Sequence, residues 1–190
     1  KFFLLGTGLV FNGRGDGGEI GFYTRYVDFK AFGLYTGLMN KDANPYGLSS
    51  RDFTDGAKRV FAGGSLSRSL GKHEIYLLGL SQMDQGDQED TAKTRYQSQY
   101  YGAGLRGLII DGMDYYGEFI YETGKSYLSG TNTEKTISAM AAMAGLNYYL
   151  DAPYNPAILF QYAYGSGDKD RSDGKSPNGN IEGDDNGFIY

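Results

Sequence analysis

Apolar and polar positions alternate with period two along much of this chain. In Glu19 to Tyr26, Ile20, Phe22, Thr24 and Tyr26 fall on one side, and Glu19, Gly21, Tyr23 and Arg25 on the other. Successive side chains of a strand point to opposite faces, so such a segment has an apolar face and a wet one. Lys30 to Met39 repeats the pattern: Phe32, Leu34, Thr36 and Leu38 are expected outward, and Ala31, Gly33, Tyr35 and Gly37 inward. Tyr96 to Ile110 sets Tyr101, Ala103, Leu105, Gly107 and Ile109 outward and Arg106 inward. In Met113 to Gly124, Met113, Tyr115, Phe119 and Tyr121 oppose Asp114, Glu118 and Glu122. Ala157 to Gly165 sets Ile158, Phe160, Tyr162 and Tyr164 outward and Gln161 inward. Four more strands are expected over Phe2 to Phe11, Arg59 to Leu70, His73 to Gln82 and Thr136 to Leu150. The pattern leaves the facing of 59–70 and 73–82 open. Phe188-Ile189-Tyr190 reads as the opening of a tenth strand.

The connectors carry a second rhythm. Short ones at Val27-Asp28-Phe29, Gly71-Lys72, Asp111-Gly112 and Asp151 to Asn155 alternate with long polar ones at 40–58, 84–94, 125–133 and 166–187. Asn12 to Gly18 reads as a Gly-rich turn. A soluble sandwich has no reason to place every long loop at one end. A transmembrane β-barrel does, because its tight turns face the periplasm and its long loops the outside. The expected fold is therefore all-β: one antiparallel up-and-down transmembrane β-barrel domain over residues 1–190. Nine to ten strands of a larger barrel would be present, with both ends cut from a longer protein.

Composition narrows the picture. Among 190 residues, Gly 30 and Tyr 18 are high and Pro 4 is low, as ladder-paired strands require. The mean hydropathy is that of a soluble protein, which alternation produces in a barrel by averaging its two faces. No run approaches the ~18 apolar residues of a membrane-crossing helix. Cys 0 removes disulfides, thiolate metal sites and any Cys-x-x-Cys-His haem attachment. A net charge of -5 argues against nucleic acid as a partner. Trp 0 leaves Tyr to fill the interfacial girdles.

Three stretches carry a family likeness. The first runs from Gly104-Leu105-Arg106-Gly107 through Tyr115-Tyr116-Gly117-Glu118-Phe119-Ile120-Tyr121-Glu122-Thr123-Gly124. The second is Ile137-Ser138-Ala139 through Gly145-Leu146-Asn147-Tyr148, and the third is Pro156 through Gln161-Tyr162-Ala163-Tyr164-Gly165-Ser166-Gly167-Asp168. Together they resemble the alginate-export-type outer-membrane porins, closely in the second half of the chain and by rhythm in the first. The resemblance implies a barrel in the bacterial outer membrane that passes a solute without chemistry. It also implies an Arg-rich lumen in members that export the polyanion alginate. Here Arg25 and Arg106 are mixed with Asp114, Glu118 and Glu122, and carboxylates repel a polyanion. The resemblance therefore transfers the barrel and the channel, and leaves the solute open.

Candidate pore-lining residues are Arg25, Arg106, Asp114, Glu118, Glu122 and Gln161. Fixed charges in a pore set ion preference; the same charges can also pair into a structural network. Inward Tyr23, Tyr35 and Tyr116 could stack on sugar rings, although girdle packing accounts for most Tyr residues here. Asp168, Asp170 and Asp173 are weak metal candidates, since their spacing departs from an EF-hand loop and a solvated acidic loop explains them better. His73, the one His, lies beside a short turn, and no Gly-x-Ser-x-Gly elbow accompanies it. No cofactor and no enzymatic activity are expected. The expected function is passive passage of a hydrophilic solute, saccharide or polysaccharide, through a channel bounded by membrane lipid. The competing readings are a non-conducting barrel that sheathes or anchors a periplasmic or surface protein, a surface receptor, and a soluble β-sandwich or β-solenoid. The loop 40–58 is long enough to fold in as a constriction.

Overall fold

The computed structural model describes residues 2–36, 59–85, 96–127, 134–168 and 184–188. They form ten strands: β1 (Phe2–Leu5), β2 (Phe11–Arg14), β3 (Asp16–Tyr23), β4 (Asp28–Thr36), β5 (Arg59–Leu70), β6 (His73–Asp84), β7 (Tyr96–Ile110), β8 (Met113–Tyr127), β9 (Glu134–Tyr149) and β10 (Ala157–Gly165). Strands β3 to β10 make one eight-stranded sheet in which every strand pairs antiparallel with its sequence neighbours. Among the described residues it is open, with β3 and β10 at its ends. The fold is all-β and up-and-down, as the alternation predicts.

Short turns carry the reversals on one side. Gly71 and Gly112 have φ of 64° and 80°, a region where a Cβ would be costly. Between β3 and β4, the Thr24 hydroxyl donates to Val27 O at 2.6 Å and accepts from Val27 N at 3.0 Å. One side chain thus closes Thr24 to Val27 into a turn, and Asp28 and Phe29 already belong to β4. Arg25 therefore sits in the turn, its guanidinium 5.9 Å from the Tyr26 ring centroid. It does not lie on the sheet wall, contrary to the alternation of 19–26.

The registers sort the side chains onto two faces, because directly opposed residues share a face. One face is bare. Phe22 opposes Phe29, Leu66 opposes Leu77, Ile75 opposes Leu105, Ala103 opposes Phe119, Tyr121 opposes Met140, and Leu146 opposes Phe160. These large apolar groups are exposed: Phe22 57%, Leu77 58%, Phe119 50% and Phe160 65%. The expected outward sets of β7, β8 and β10 lie here, as do Ile20 and Phe22 of β3, whereas Thr24 and Tyr26 fall in the turn beyond it. A register shift between Leu108 and Ile110 leaves Ile109 in a bulge, still 54% exposed.

The other face is covered by β1 and β2, an antiparallel hairpin outside the main sheet. This departs from the single strand expected over 2–11 and from the turn expected over 12–18. Gly6 and Gly8, with φ of 60° and 88°, bend the chain back between β1 and β2. The hairpin's Phe3 and Phe11 pack with tilted rings against Phe32 at 5.5 and 5.8 Å, and Phe11 meets Phe61 at 5.0 Å. Leu34, Leu78, Leu80, Tyr100 and Ile120 belong to the same buried cluster. The facing of β4 is consequently the reverse of the one expected. Phe32 and Leu34 point to the hairpin, while Ala31, Gly33 and Tyr35 share the bare face. The sequence offers two apolar environments, hydrocarbon and the hairpin, and alternation alone does not tell them apart. Leu38 and Gly37 lie outside the described residues, as does the loop 40–58.

Of the expected opening Phe188-Ile189-Tyr190 only Phe188 lies among the described residues. Asp185 bridges to Ile137 in parallel, accepting from Ser138 N at 2.9 Å and donating to Thr136 O at 2.7 Å. Phe188 then packs edge-on against Tyr100 at 6.0 Å.

Candidate lumen wall

Charge collects on the hairpin face. Glu118, at mid-strand on β8, is 4% exposed and accepts three hydrogen bonds. Thr7 donates its backbone N–H at 2.9 Å and its hydroxyl at 2.7 Å, and Tyr76 donates its phenol at 2.7 Å. Glu118 thus fastens the hairpin turn to β6 and β8. Glu122, two positions further along the same face, is fully buried and accepts from the Tyr96 hydroxyl at 2.6 Å. A carboxylate stays in such a place only with hydrogen-bond donors around it. These two predicted residues are on the expected face, but they bind the protein to itself.

The end of this face near the short turns is open. A cavity of about 560 Å³ there is lined by Glu19, Tyr23, Asp28, Lys30, Glu74 and Arg106, among others. Arg106 reaches Glu74 through Nε at 3.3 Å and Nη2 at 3.0 and 3.1 Å. Lys30 stands 3.9 Å from Glu19. Asp28 accepts from Thr24 N at 3.1 Å and Asp114 from Asn147 Nδ2 at 2.7 Å. Among the described residues, the wall cations Lys30 and Arg106 thus each face a carboxylate, and Asp28 and Asp114 stand beside them.

Of the predicted residues, Arg106, Asp114, Glu118, Glu122 and Gln161 share the hairpin face through the registers of β7 to β10. Arg25 does not join them. Gln161 is exposed, with Nε2 3.4 Å from Met143 Sδ. Tyr23 and Tyr116 are on this face and Tyr35 is on the other. Asp168 accepts from Asn186 N at 3.2 Å; Asp170 and Asp173 lie outside the described residues. Among the described residues no group of three or more His, Cys, Asp or Glu side chains is placed to hold a metal. His73 Nδ1 meets the Tyr115 hydroxyl at 3.1 Å on the bare face. Glu19, Lys30, Glu74 and Tyr76 were not singled out by sequence reasoning. Glu74 and Tyr76 depend on the facing of β6, which alternation left open; Lys30 depends on β4, whose facing was inverted.

The family model for alginate export matches residues 53–180, about two thirds of the chain. The chain belongs to the alginate export family. That family consists of outer-membrane β-barrel transport channels and is not an enzyme family. The match spans β5 to β10, the strands that carry Arg106, Asp114, Glu118, Glu122 and Gln161. It begins beyond the hairpin, β3 and β4, so Lys30 and Glu19 lie outside it. No curated protein and no solved structure matches the chain.

Proposed function

We propose that this chain forms part of the wall of an outer-membrane channel that passes a hydrophilic solute passively, with the hairpin face toward the lumen and the bare face toward lipid. The observation that carries the reading is the contrast between the faces. Exposed Phe, Leu, Ile and Tyr run across the sheet from β3 to β10 on one side, and Glu19, Glu74, Arg106, Asp114 and Glu118 stand on the other. Membership of the alginate export family supports the same reading.

The wall's charge narrows the solute. Lys30 and Arg106 are held by Glu19 and Glu74, and Asp28 and Asp114 add negative charge. Fixed carboxylates in a pore favour cations. The channel is therefore suited to neutral or cationic hydrophilic solutes, neutral saccharides included, and ill suited to a polyuronate. In planar bilayers the expected result is conductance, with a reversal potential under a salt gradient that reports cation preference. Anion preference, or block by alginate oligomers, overturns the choice of solute.

The β1–β2 hairpin favours a second reading, a closed barrel that anchors or sheathes a partner. It covers β4 to β8 and is fastened to Glu118. Under this reading the protein conducts only when residues 2–14 are removed. Conductance of the intact protein overturns it.

A further inference from the structure

Arg68 is out of place on the bare face. By the β5–β6 register it opposes Ile75, with Leu66 and Leu70 on either side along its own strand. Among the described residues, the other Asp, Glu, Lys and Arg side chains that share this face are Asp16, Lys125 and Glu134, all at the loop ends of their strands, while His73 stands at the turn end of β6 with its ring on Tyr115. Arg68 is exposed and, among the described residues, no carboxylate pairs with it. The neighbouring cation, Lys72, is already held by Asp111 at 2.9 Å. An unpaired guanidinium among hydrocarbon-facing side chains is costly at the bilayer midplane and tolerable near its edge.

Its height on the strand supplies the reason it is tolerated. Arg68 lies three residues before Gly71, about 10 Å along the strand from the turn. Its long stem can lie on apolar surface while its head reaches the interface. Beside it is an apolar groove of about 490 Å³, lined by Leu66, Ile75, Leu77, Ala103 and Leu105 as well as by Arg68. The small side chain of Ala103 leaves this room between larger neighbours. A cation at the edge of an apolar groove matches one kind of molecule: an anionic head joined to a hydrocarbon chain.

We propose that this is a seat for an anionic glycerophospholipid of the turn-side leaflet, with Arg68 holding the phosphate and an acyl chain lying in the groove. A guanidinium binds phosphate oxygens through paired N–H donors. The inference rests on the assignment of the bare face to lipid.

The chain has Trp 0, so one introduced Trp reports alone. Leu70→Trp places it beside Arg68 on the same face, outside the groove. The protein is reconstituted into phosphatidylcholine vesicles doped with brominated phosphatidylglycerol or with brominated phosphatidylcholine. The expected result is preferential quenching by phosphatidylglycerol, by about fivefold in relative association. Arg68→Gln abolishes the preference, and Arg68→Lys, which keeps the charge but not the paired donors, retains only part of it. No preference in the parent, or an equal preference in Arg68→Gln, overturns the seat and leaves the lipid assignment standing. Absence of quenching by either lipid overturns the assignment of the bare face and the seat with it.

Discussion

Replacing Glu118 by Gln tests the fastening of the hairpin. The carboxylate accepts three donors: Thr7 N and Tyr76 Oη on Oε2, and Thr7 Oγ1 on Oε1. Gln keeps the shape but offers one acceptor oxygen, and its NH₂ stands against a donor. Bonds to a charged group contribute about 1.5–3 kcal/mol each, and a buried donor left without a partner costs about 1–3 kcal/mol. With Glu118 only 4% exposed, water does not easily replace the lost partner. Because the three bonds are coupled, the expected cost is roughly 2–4 kcal/mol, less than their sum. The assay is hydrogen exchange at the Thr7 amide in reconstituted protein. Opening of the hairpin should become about 30- to 1,000-fold more frequent, at tenfold per 1.4 kcal/mol. Amides in the middle of β8 should be unaffected. Thr7→Ala supplies the second leg of a double-mutant cycle and should be less damaging in the Glu118→Gln background. Unchanged Thr7 exchange in Glu118→Gln, or full additivity in the cycle, refutes the fastening.

Three other outcomes are expected. Phe119→Arg, in the middle of β8 on the bare face, should destabilise the folded protein in bilayers by about 2–4 kcal/mol, whereas Met113→Arg beside the turn should cost about 1 kcal/mol or less; denaturant refolding into lipid vesicles measures both. Tyr154→Gly should stabilise by about 1 kcal/mol in the same assay, because Tyr154 holds φ 74° in the β9–β10 turn and its fully exposed side chain loses no packing. The Asp111 carboxyl is held below the usual carboxylate range by its hydrogen bond and charge pairing with Lys72. The link between the two turns should therefore be complete above the ordinary carboxylate range and be lost as pH falls through Asp111's lowered value; NMR titration should show that value rising in Lys72→Met.

The strands were largely legible because period two is strong where one side of a strand meets apolar surroundings and the other does not. In β8, Phe119 and Tyr121 against Glu118 and Glu122 admit one solution. In β6, Leu77 on the bare face and Leu78 and Leu80 under the hairpin are apolar on both sides, so alternation carries no phase there. In β4, Phe32 and Leu34 are apolar because Phe3 and Phe11 lie against them, a contact between residues far apart in sequence. The facing of Arg106 was legible, but its Glu74 partner depended on the unread phase of β6. Arg25 was misplaced because Thr24 closes the turn one pleat earlier than alternation suggests.

The chain has Cys 0, so spin labels can be placed one at a time along β10 from Ile158 to Ala163 in the reconstituted protein. Collision rates with dissolved oxygen and with a water-soluble nickel complex then report hydrocarbon or water at each site. If the two faces divide as argued, oxygen dominates at Ile158, Phe160 and Tyr162 and nickel at Leu159, Gln161 and Ala163. The same accessibility at all six positions, or the opposite phase, contradicts the account.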